Sequence, residues 1–537
     1  MAIGGCGGSS SSDSTEPIIT LPPVNPPNFN VVVFERPDFD GQECSYSGAI
    51  NELQDTFIEI ADEVGLDYSH EMSNGDNFFG QSGGVAAGDY NNDGWIDLYA
   101  IGGDDRPNLL LANSADGVFI DRAIEAGLDL IGKGSGPAFA DFDGDGDLDL
   151  FIGSVDDGVT KLFINAGDGK FTDITTESNL DLPGNNVSAA WGDYDQDEDL
   201  DLLISHWTLE ERDGDRFLWR NNGDLTFTNV SVETNLGWGS IGDLSFSPGF
   251  ADINNDGASD VLFVADGVTS AVFLNQPDLG VFEDITDEQI SDRSGMGSAI
   301  ADYDNDGDLD WFVSSISRGT LDRNRIFGNR LYENQGQGYF IDVSESAGVR
   351  EGHWGWGSCF SDFDNDGNQD IFHVNGFSGQ SNFFLTDPSV LFMSNGDGTF
   401  SEKALKMGID DTSMGRGVVC FDYDRDGDQD IFIANYDQPP KLYCNYGNDN
   451  GFINIKLIGK QPNTEALGAR VYVTTGNLVQ MRELNANSNY VSQNPAEAHF
   501  GLADVGFINE IKIVWPNGDE SIIEDVDINQ FLRIEKL

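Results

Sequence analysis

Seven stretches of this sequence set oxygen-bearing side chains at positions 1, 3, 5 and 9 of a ladder, D-x-[DN]-x-D-x-x-x-D, and each runs directly into an apolar strand. The first uses Asp89, Asn91, Asp93 and Asp97, and the second uses Asp141, Asp143, Asp145 and Asp149. The third has Asp193, Asp195, Asp197 and Asp201, and the fourth has Asp252, Asn254, Asp256 and Asp260. The fifth has Asp302, Asp304, Asp306 and Asp310, the sixth Asp362, Asp364, Asp366 and Asp370, and the seventh Asp422, Asp424, Asp426 and Asp430. Position 7 would contribute only its backbone carbonyl, and its side chain varies freely: Trp95, Asp147, Asp199, Ala258, Asp308, Asn368 and Asp428. Oxygen donors at this spacing are what a hard cation such as Ca²⁺ requires, so about seven calcium ions are expected. Asp/Asn/Gly runs also form plain turns, but successive ladders start 52, 52, 59, 50, 60 and 60 residues apart, a regularity that chance does not supply.

The loop begins like an EF-hand and then departs from it. An EF-hand closes with a bidentate Glu at position 12 between two helices. Position 12 here is Ala100, Ile152, Ile204, Phe263, Val313, His373 or Ile433, so the loop closes at position 9 inside a β hairpin. Glycine at position 6 allows a left-handed turn. It stands at 94, 146, 257, 307, 367 and 427, whereas the third ladder has Glu198, at a cost of roughly 1 kcal/mol. The third loop is therefore expected to be the most distorted or the weakest binder. Asn91 and Asn254 lower the charge, and with it the expected affinity, of ladders one and four. Carboxylates about 4 Å apart repel by about 4 kcal/mol per pair at an effective dielectric of 20, so the loops need a cation to hold their shape. Each ladder fills its coordination shell from its own residues, which argues for a structural ion rather than a catalytic one.

The elements that must position these ladders repeat with them. A second half-repeat, typified by Leu162-Phe-Ile-Asn-Ala-Gly-Asp-Gly-Lys-Phe171, reads as two short strands around a tight turn. Four strands in 50–60 residues is the size of a propeller blade. The fold class expected is all-β: a seven-bladed β-propeller over residues 56–447, then a small β-sandwich-like domain over 448–537. The half-repeat phenylalanines are Phe57, Phe119, Phe171, Phe227, Phe282, Phe340 and Phe400. The first precedes every ladder and the last ladder has no such strand after it, so Phe57–Ala61 is expected to complete the seventh blade and close the ring. Beyond 447, Ile453-Asn-Ile455, Ala469-Arg-Val471 and Ile511-Lys-Ile513 alternate with period two, as strands do. Residues 1–30, rich in Ser, Gly and Pro, read as a tether. Residues 31–55 form an N-terminal extension with an apolar run, Val31-Val32-Val33-Phe34, that has no assigned role.

A formal charge of −67 makes nucleic acid and anionic membranes poor partners. At 39% hydrophobic and 11% aromatic residues, the chain is nevertheless equipped to fold. No apolar run is long enough for a membrane-spanning helix. The five cysteines, Cys6, Cys44, Cys359, Cys420 and Cys444, form no C-x-x-C pair, which excludes zinc and thioredoxin-like readings. Ring closure would bring Cys44 towards Cys444, as a disulfide or as buried thiols. Cys359 and Cys420 are expected on inner strands of adjacent blades. The stretch Ile3-Gly4-Gly5-Cys6-Gly7 resembles the end of a bacterial lipoprotein signal, which would make Cys6 a lipid anchor, although no basic or long apolar region precedes it.

The stretch Ala140-Asp-Phe-Asp-Gly-Asp-Gly-Asp-Leu-Asp-Leu-Phe-Ile resembles the FG-GAP/VCBS repeats of integrin α-subunit propellers and of many bacterial surface proteins. The C-terminal segment resembles the ASPIC/UnbV domain through Gly468-Ala-Arg-Val471, Tyr490-Val-Ser492-Gln493, His499-Phe-Gly501-Leu502 and Trp515-Pro-Asn-Gly518. The combination is similar to the cartilage acidic protein family. That resemblance implies an acidic, calcium-binding protein, extracellular or at a bacterial cell surface (an outer-membrane lipoprotein if Cys6 is acylated). Its expected role is adhesion or binding of an extracellular protein or glycan, with self-association open. It implies no reaction. The histidines, His70, His206, His353, His373 and His499, fall in different repeats without a catalytic motif. A lectin or a propeller enzyme with a site at the central face is the alternative, and Gly352-His353-Trp354-Gly355-Trp356-Gly357 is its best candidate; inner-strand packing, with Gly for close approach, is the plainer reading of that stretch.

Overall fold

The structure, a computed structural model, describes residues 29–34, 56–73, 81–156, 158–207, 217–236, 244–317, 327–378, 384–447 and 450–537. Each ladder joins two antiparallel strands, and two further strands complete a four-stranded unit. In the second unit these are Gly134–Ala140, Asp149–Ser154, Lys161–Asn165 and Phe171–Asp173. The same four-strand order recurs at all seven ladders. The innermost strands are Val85–Gly88, Gly134–Ala140, Asn186–Gly192, Ser245–Ala251, Gly295–Ala301, Gly355–Ser361 and Gly415–Phe421. Each packs on the next and the last packs back on the first, the radial arrangement of a β-propeller.

Closure follows the expected route. Phe57–Glu59 pairs antiparallel with Lys441–Asn445, in register Phe57 to Asn445, and supplies the outer strand of the seventh unit. The half-repeat phenylalanines then interlock neighbours. Six of the seven pack on the aromatic residue at position 2 of the preceding ladder, Phe171 on Tyr90, Phe227 on Phe142, Phe282 on Tyr194, Phe400 on Tyr303, Phe57 on Phe363 and Phe119 on Tyr423, while Phe340 shares a core with Ile253 at that position. Ring centroids lie 5.7–6.5 Å apart in these six pairs, the range of favourable aromatic contact.

The C-terminal domain is two four-stranded sheets around one apolar core of Ile453, Ile455, Val471, Val473, Ile511, Ile513 and Trp515 among others. Its period-two strands bury alternate residues, as their sequence requires. One strand comes from the far end of the chain: Phe29–Phe34 pairs with Gln530–Lys536 over its whole length. The apolar run Val31–Val33 thus has a place, at the edge of the C-terminal sheet, across the boundary expected at residue 30.

Cys359 and Cys420 sit on adjacent inner strands with Cα atoms 6.5 Å apart and are joined as a disulfide, which ties the sixth unit to the seventh. Cys444 is also disulfide-bonded, so neither it nor the Cys359–Cys420 pair is a buried thiol. Cys44 and Cys6 lie outside the described residues.

Candidate metal loops and the filled axis

In the second ladder, Asp141 accepts the N–H groups of Asp145 (3.0 Å) and Gly146 (2.8 Å). Asp145 accepts the N–H of Asp147 at 3.0 Å. Asp149, at position 9, accepts from Phe142 at 3.2 Å and from Asn165 at 2.8 Å. These bonds turn the chain tightly and fix the carboxylates on one centre. The set recurs in the seventh ladder, where Asp422 takes Asp426 and Gly427, and Asp430 takes Tyr423 and Asn445. It recurs in the third despite Glu198, whose φ of +73° adopts the glycine conformation and whose N–H reaches Asp193 at 2.9 Å. The expected distortion of that loop is absent because the backbone bond to Asp193 holds the left-handed turn.

The ladders meet one another at one end of the ring. The residue at position 4 reaches the next ladder: Asn92 to Gly146, Gln196 to Gly257, Asn305 to Gly367, Asn365 to Gly427 and Arg425 to Gly94, each on a carbonyl oxygen. Asn255 instead reaches the Asp308 carboxylate. Position 4 of the second ladder is Gly144, which has no side chain to reach with. A second set of bonds was not foreseen from sequence. Asn113, Asn165, Asn221, Asn275, Asn334 and Asn445 each donate to the position-2 carbonyl of the preceding unit, on Tyr423, Tyr90, Phe142, Tyr194, Ile253 and Phe363. The signal was present as an Asn closing the third strand of six units; the sixth unit has Ser394 there.

Carboxylate oxygens converge to within 4.8 Å of one another in five ladders, on Asp141/Asp143/Asp149, Asp193/Asp195/Asp197, Asp302/Asp304/Asp306, Asp362/Asp364/Asp370 and Asp422/Asp424/Asp430. Oxygens bonded to one Ca²⁺ at about 2.3–2.6 Å span at most about 5 Å, so this donor set fits that ion. Burial, and then neighbouring carboxylates, push these groups up: Asp193 to about 7, Asp362 to about 8 and Asp426 to about 10. Burial likewise raises Asp141 to about 6 and Asp149 to about 9. In ladders one and four position 3 is an amide, not a carboxylate: Asn91 and Asn254 accept the Asp93 and Asp256 N–H groups as Asp143 accepts that of Asp145, and the Asn254 amide also donates to Asp256 at 2.9 Å.

The C-terminal domain covers this end of the ring and threads it. Residues 485–495 run along the inner strands. Ser492–Gln493 pairs parallel with Val85–Gly88, and Gln493 brackets Phe139 with two bonds of 2.7 and 2.8 Å. Asn487 brackets Phe250 in the same way, Ala486 bridges Trp191, and Asn489 donates to Val418 while its carbonyl takes Ser358. Tyr490 is fully buried between Phe246 and Trp356, at 5.2 and 5.1 Å. Gly84, at φ +110°, lies against the Val491 carbonyl, where any Cβ would collide. Cavities of about 170 and 220 Å³ remain between the ladders and the domain.

The tryptophan–glycine stretch is packing. Trp356 is buried, donates to the Gly376 carbonyl at 2.8 Å and stacks under the buried Arg416 guanidinium at 4.1 Å. Trp354 stacks on Phe377 at 4.0 Å. A Cβ on Gly352 would strike Asn329 and His373, and one on Gly357 the Arg416 carbonyl, so these glycines serve close approach.

Residues 89–152, 142–204 and 252–313 match the FG-GAP-like repeat, and residues 459–537 match ASPIC and UnbV. The chain joins FG-GAP-like repeats to an ASPIC and UnbV domain. It is 25% identical over 227 residues to cartilage acidic protein 1 of Xenopus tropicalis, covering 39% of this chain and 34% of that protein. To the Homo sapiens protein of the same name it is 28% identical over 217 residues, covering 36% and 30%. The chain thus spans about a third of the length of the curated relatives it matches. A solved Agrocybe aegerita lectin, described as recognising non-reducing terminal N-acetylglucosamine, aligns over 61% of this chain and 81% of its own at a TM-score of 0.36 and 16% identity. The ASPIC and UnbV match contains the segment that threads the axis, so the Tyr490-Val-Ser492-Gln493 motif of the sequence is the part of the domain that the FG-GAP-like ring encloses.

Proposed function

We propose that this chain is a calcium-stabilised extracellular or cell-surface propeller that acts as an adhesion or ligand-binding module for a protein or glycan. The observation that carries this reading is the convergence of buried carboxylates in the ladder loops, whose mutual repulsion a divalent cation relieves. The calcium is structural in this reading. Asp141, Asp143, Asp145, Asp147 and Asp149 are typical of the set that would hold it, and the ion would supply charge neutralisation alone. Sites of this kind fill at the calcium levels found outside cells, which supports an extracellular location. The axis is occupied from the ladder end by residues 485–495, which favours binding at the outer surface over catalysis or lectin activity at the central face. Self-association and acylation at Cys6 remain part of the proposal for the N-terminal end. A glycan and matrix-protein array probed with the full chain, with calcium and with chelator, tests it. Calcium-dependent binding to at least one extracellular ligand is expected; a melting curve unchanged by verified metal removal would sink the calcium part.

A further inference from the structure

The two ladders with asparagine at position 3 differ from the others in a second way. Their first aspartate is ion-paired to a basic side chain of the C-terminal domain. Lys456 Nζ lies 3.3 Å from Asp89 Oδ2, and Arg470 Nη2 lies 3.5 Å from Asp252 Oδ2. Arg470 is also anchored on the loop itself, donating to the Asp252 carbonyl and to Asn255 Oδ1, and its Nε is held by Glu483 at 2.8 Å. Among the described residues no basic side chain is in ion-pair contact with the first aspartates of the other five ladders, Asp141, Asp193, Asp302, Asp362 and Asp422, although the charge of Arg482 reaches Asp302 and Asp362 and that of Arg425 reaches Asp422 from further away. Asp141 instead accepts the Thr464 hydroxyl, a neutral partner from the same domain.

A divalent ion bonded to Asp89 or Asp252 at about 2.3–2.6 Å would lie beside a fixed positive charge. The two kinds of cation exclude one another there. We propose that the chain holds five divalent cations, and that in ladders one and four the Lys456 ammonium and the Arg470 guanidinium take the place of the ion. Asparagine at position 3 fits that exchange, because a monovalent side-chain cation balances fewer carboxylates than Ca²⁺ does. Ladders one and four thereby become charged docking points for the C-terminal domain, while the other five are ion sites. This rests on the calcium reading above and narrows its expected seven ions to five.

The test counts bound calcium. The full chain, stripped with chelator and reloaded in excess calcium, is passed through equilibrium dialysis with a radioactive calcium tracer. Five ions per chain are expected, and Lys456→Met is expected to bind six with its thermal midpoint in excess calcium within a few degrees of the parent. Arg470→Met is a second route to a sixth ion; should it fail to fold, Lys456→Met decides. Any other nonzero count in the parent, or five in Lys456→Met, overturns the proposal and leaves the calcium reading standing. No bound calcium, with a melting curve indifferent to chelator, overturns the calcium reading itself.

Discussion

The seventh and third ladders share one donor pattern and one set of hydrogen bonds, yet they live in different surroundings. Asp422, Asp424 and Asp430 are all buried, with Arg425 clamped to Glu497 of the C-terminal domain at 2.9 Å and Phe452 set against Gly427. Asp193 is half-buried, and Asp195 and Asp197 are exposed. Burial pushes Asp426 up to about 10, but Asp193 only to about 7. Water relieves the crowding of carboxylates in the third loop, whereas in the seventh only a bound cation or protons can do so. On the calcium reading, cover by the second domain, more than ladder sequence, sets how much each ion would matter to the fold.

The sharpest way to break this contrast is to remove all the metal. Chelator is expected to lower the thermal midpoint by well over about 10 °C, if several buried ion sites each contribute a few kcal/mol. Limited proteolysis of the metal-free protein should then cut near the seventh unit before the third. The disulfide comes next. Cys359→Ser with Cys420→Ser removes the covalent tie between the sixth and seventh units and should cost about 2–5 kcal/mol in denaturant unfolding. Units two and three, packed through Phe142 and Phe227 and bonded from Asn221 to the Phe142 carbonyl, have no such covalent tie to lose among the described residues.

Smaller effects come from single ligands. Asp426→Ala is expected to lower stability in saturating calcium by about 3 kcal/mol, through the buried charges it leaves unbalanced. Asp197→Ala and Asn254→Ala should cost only a fraction of that; equal losses in one urea series would remove the distinction drawn here. The smallest effect is on pH dependence without metal. Asp141, Asp193 and Asp362 are raised to about 6, 7 and 8, so the folded chain keeps protons that the unfolded chain releases from about pH 4. The unfolded state then binds fewer protons, and stability falls as pH rises from about 4 to 8. Calcium should flatten that slope, and urea midpoints measured across the range with and without the ion would show whether it does.

The ring was legible because its signals are periodic: the ladders, the half-repeat phenylalanines and the left-over strand at Phe57 all state their own positions. The period-two strands of the C-terminal domain were legible for the same reason. The segment at 485–495 was not. It is an aperiodic run of Asn, Ser and Gln whose bonds go to backbone groups hundreds of residues away, as Gln493 to Phe139 illustrates. The pairing of Phe29–Phe34 with Gln530–Lys536, and the reach of Lys456 and Arg470 into ladders one and four, are likewise products of tertiary placement that no local spacing encodes. Cys359 and Cys420 could be put on adjacent strands from the repeat, but only their depth within those strands makes them partners.

Because Phe57–Glu59 waits for Lys441–Asn445, and Phe29–Phe34 for Gln530–Lys536, neither junction can form until its later strand has been made. At about 5–20 residues per second, the earliest strands spend on the order of tens of seconds without their mates. Until the seventh unit is made the ring is therefore an open arc with a raw edge at each end, and the C-terminal sheet gains its Phe29–Phe34 strand only later still.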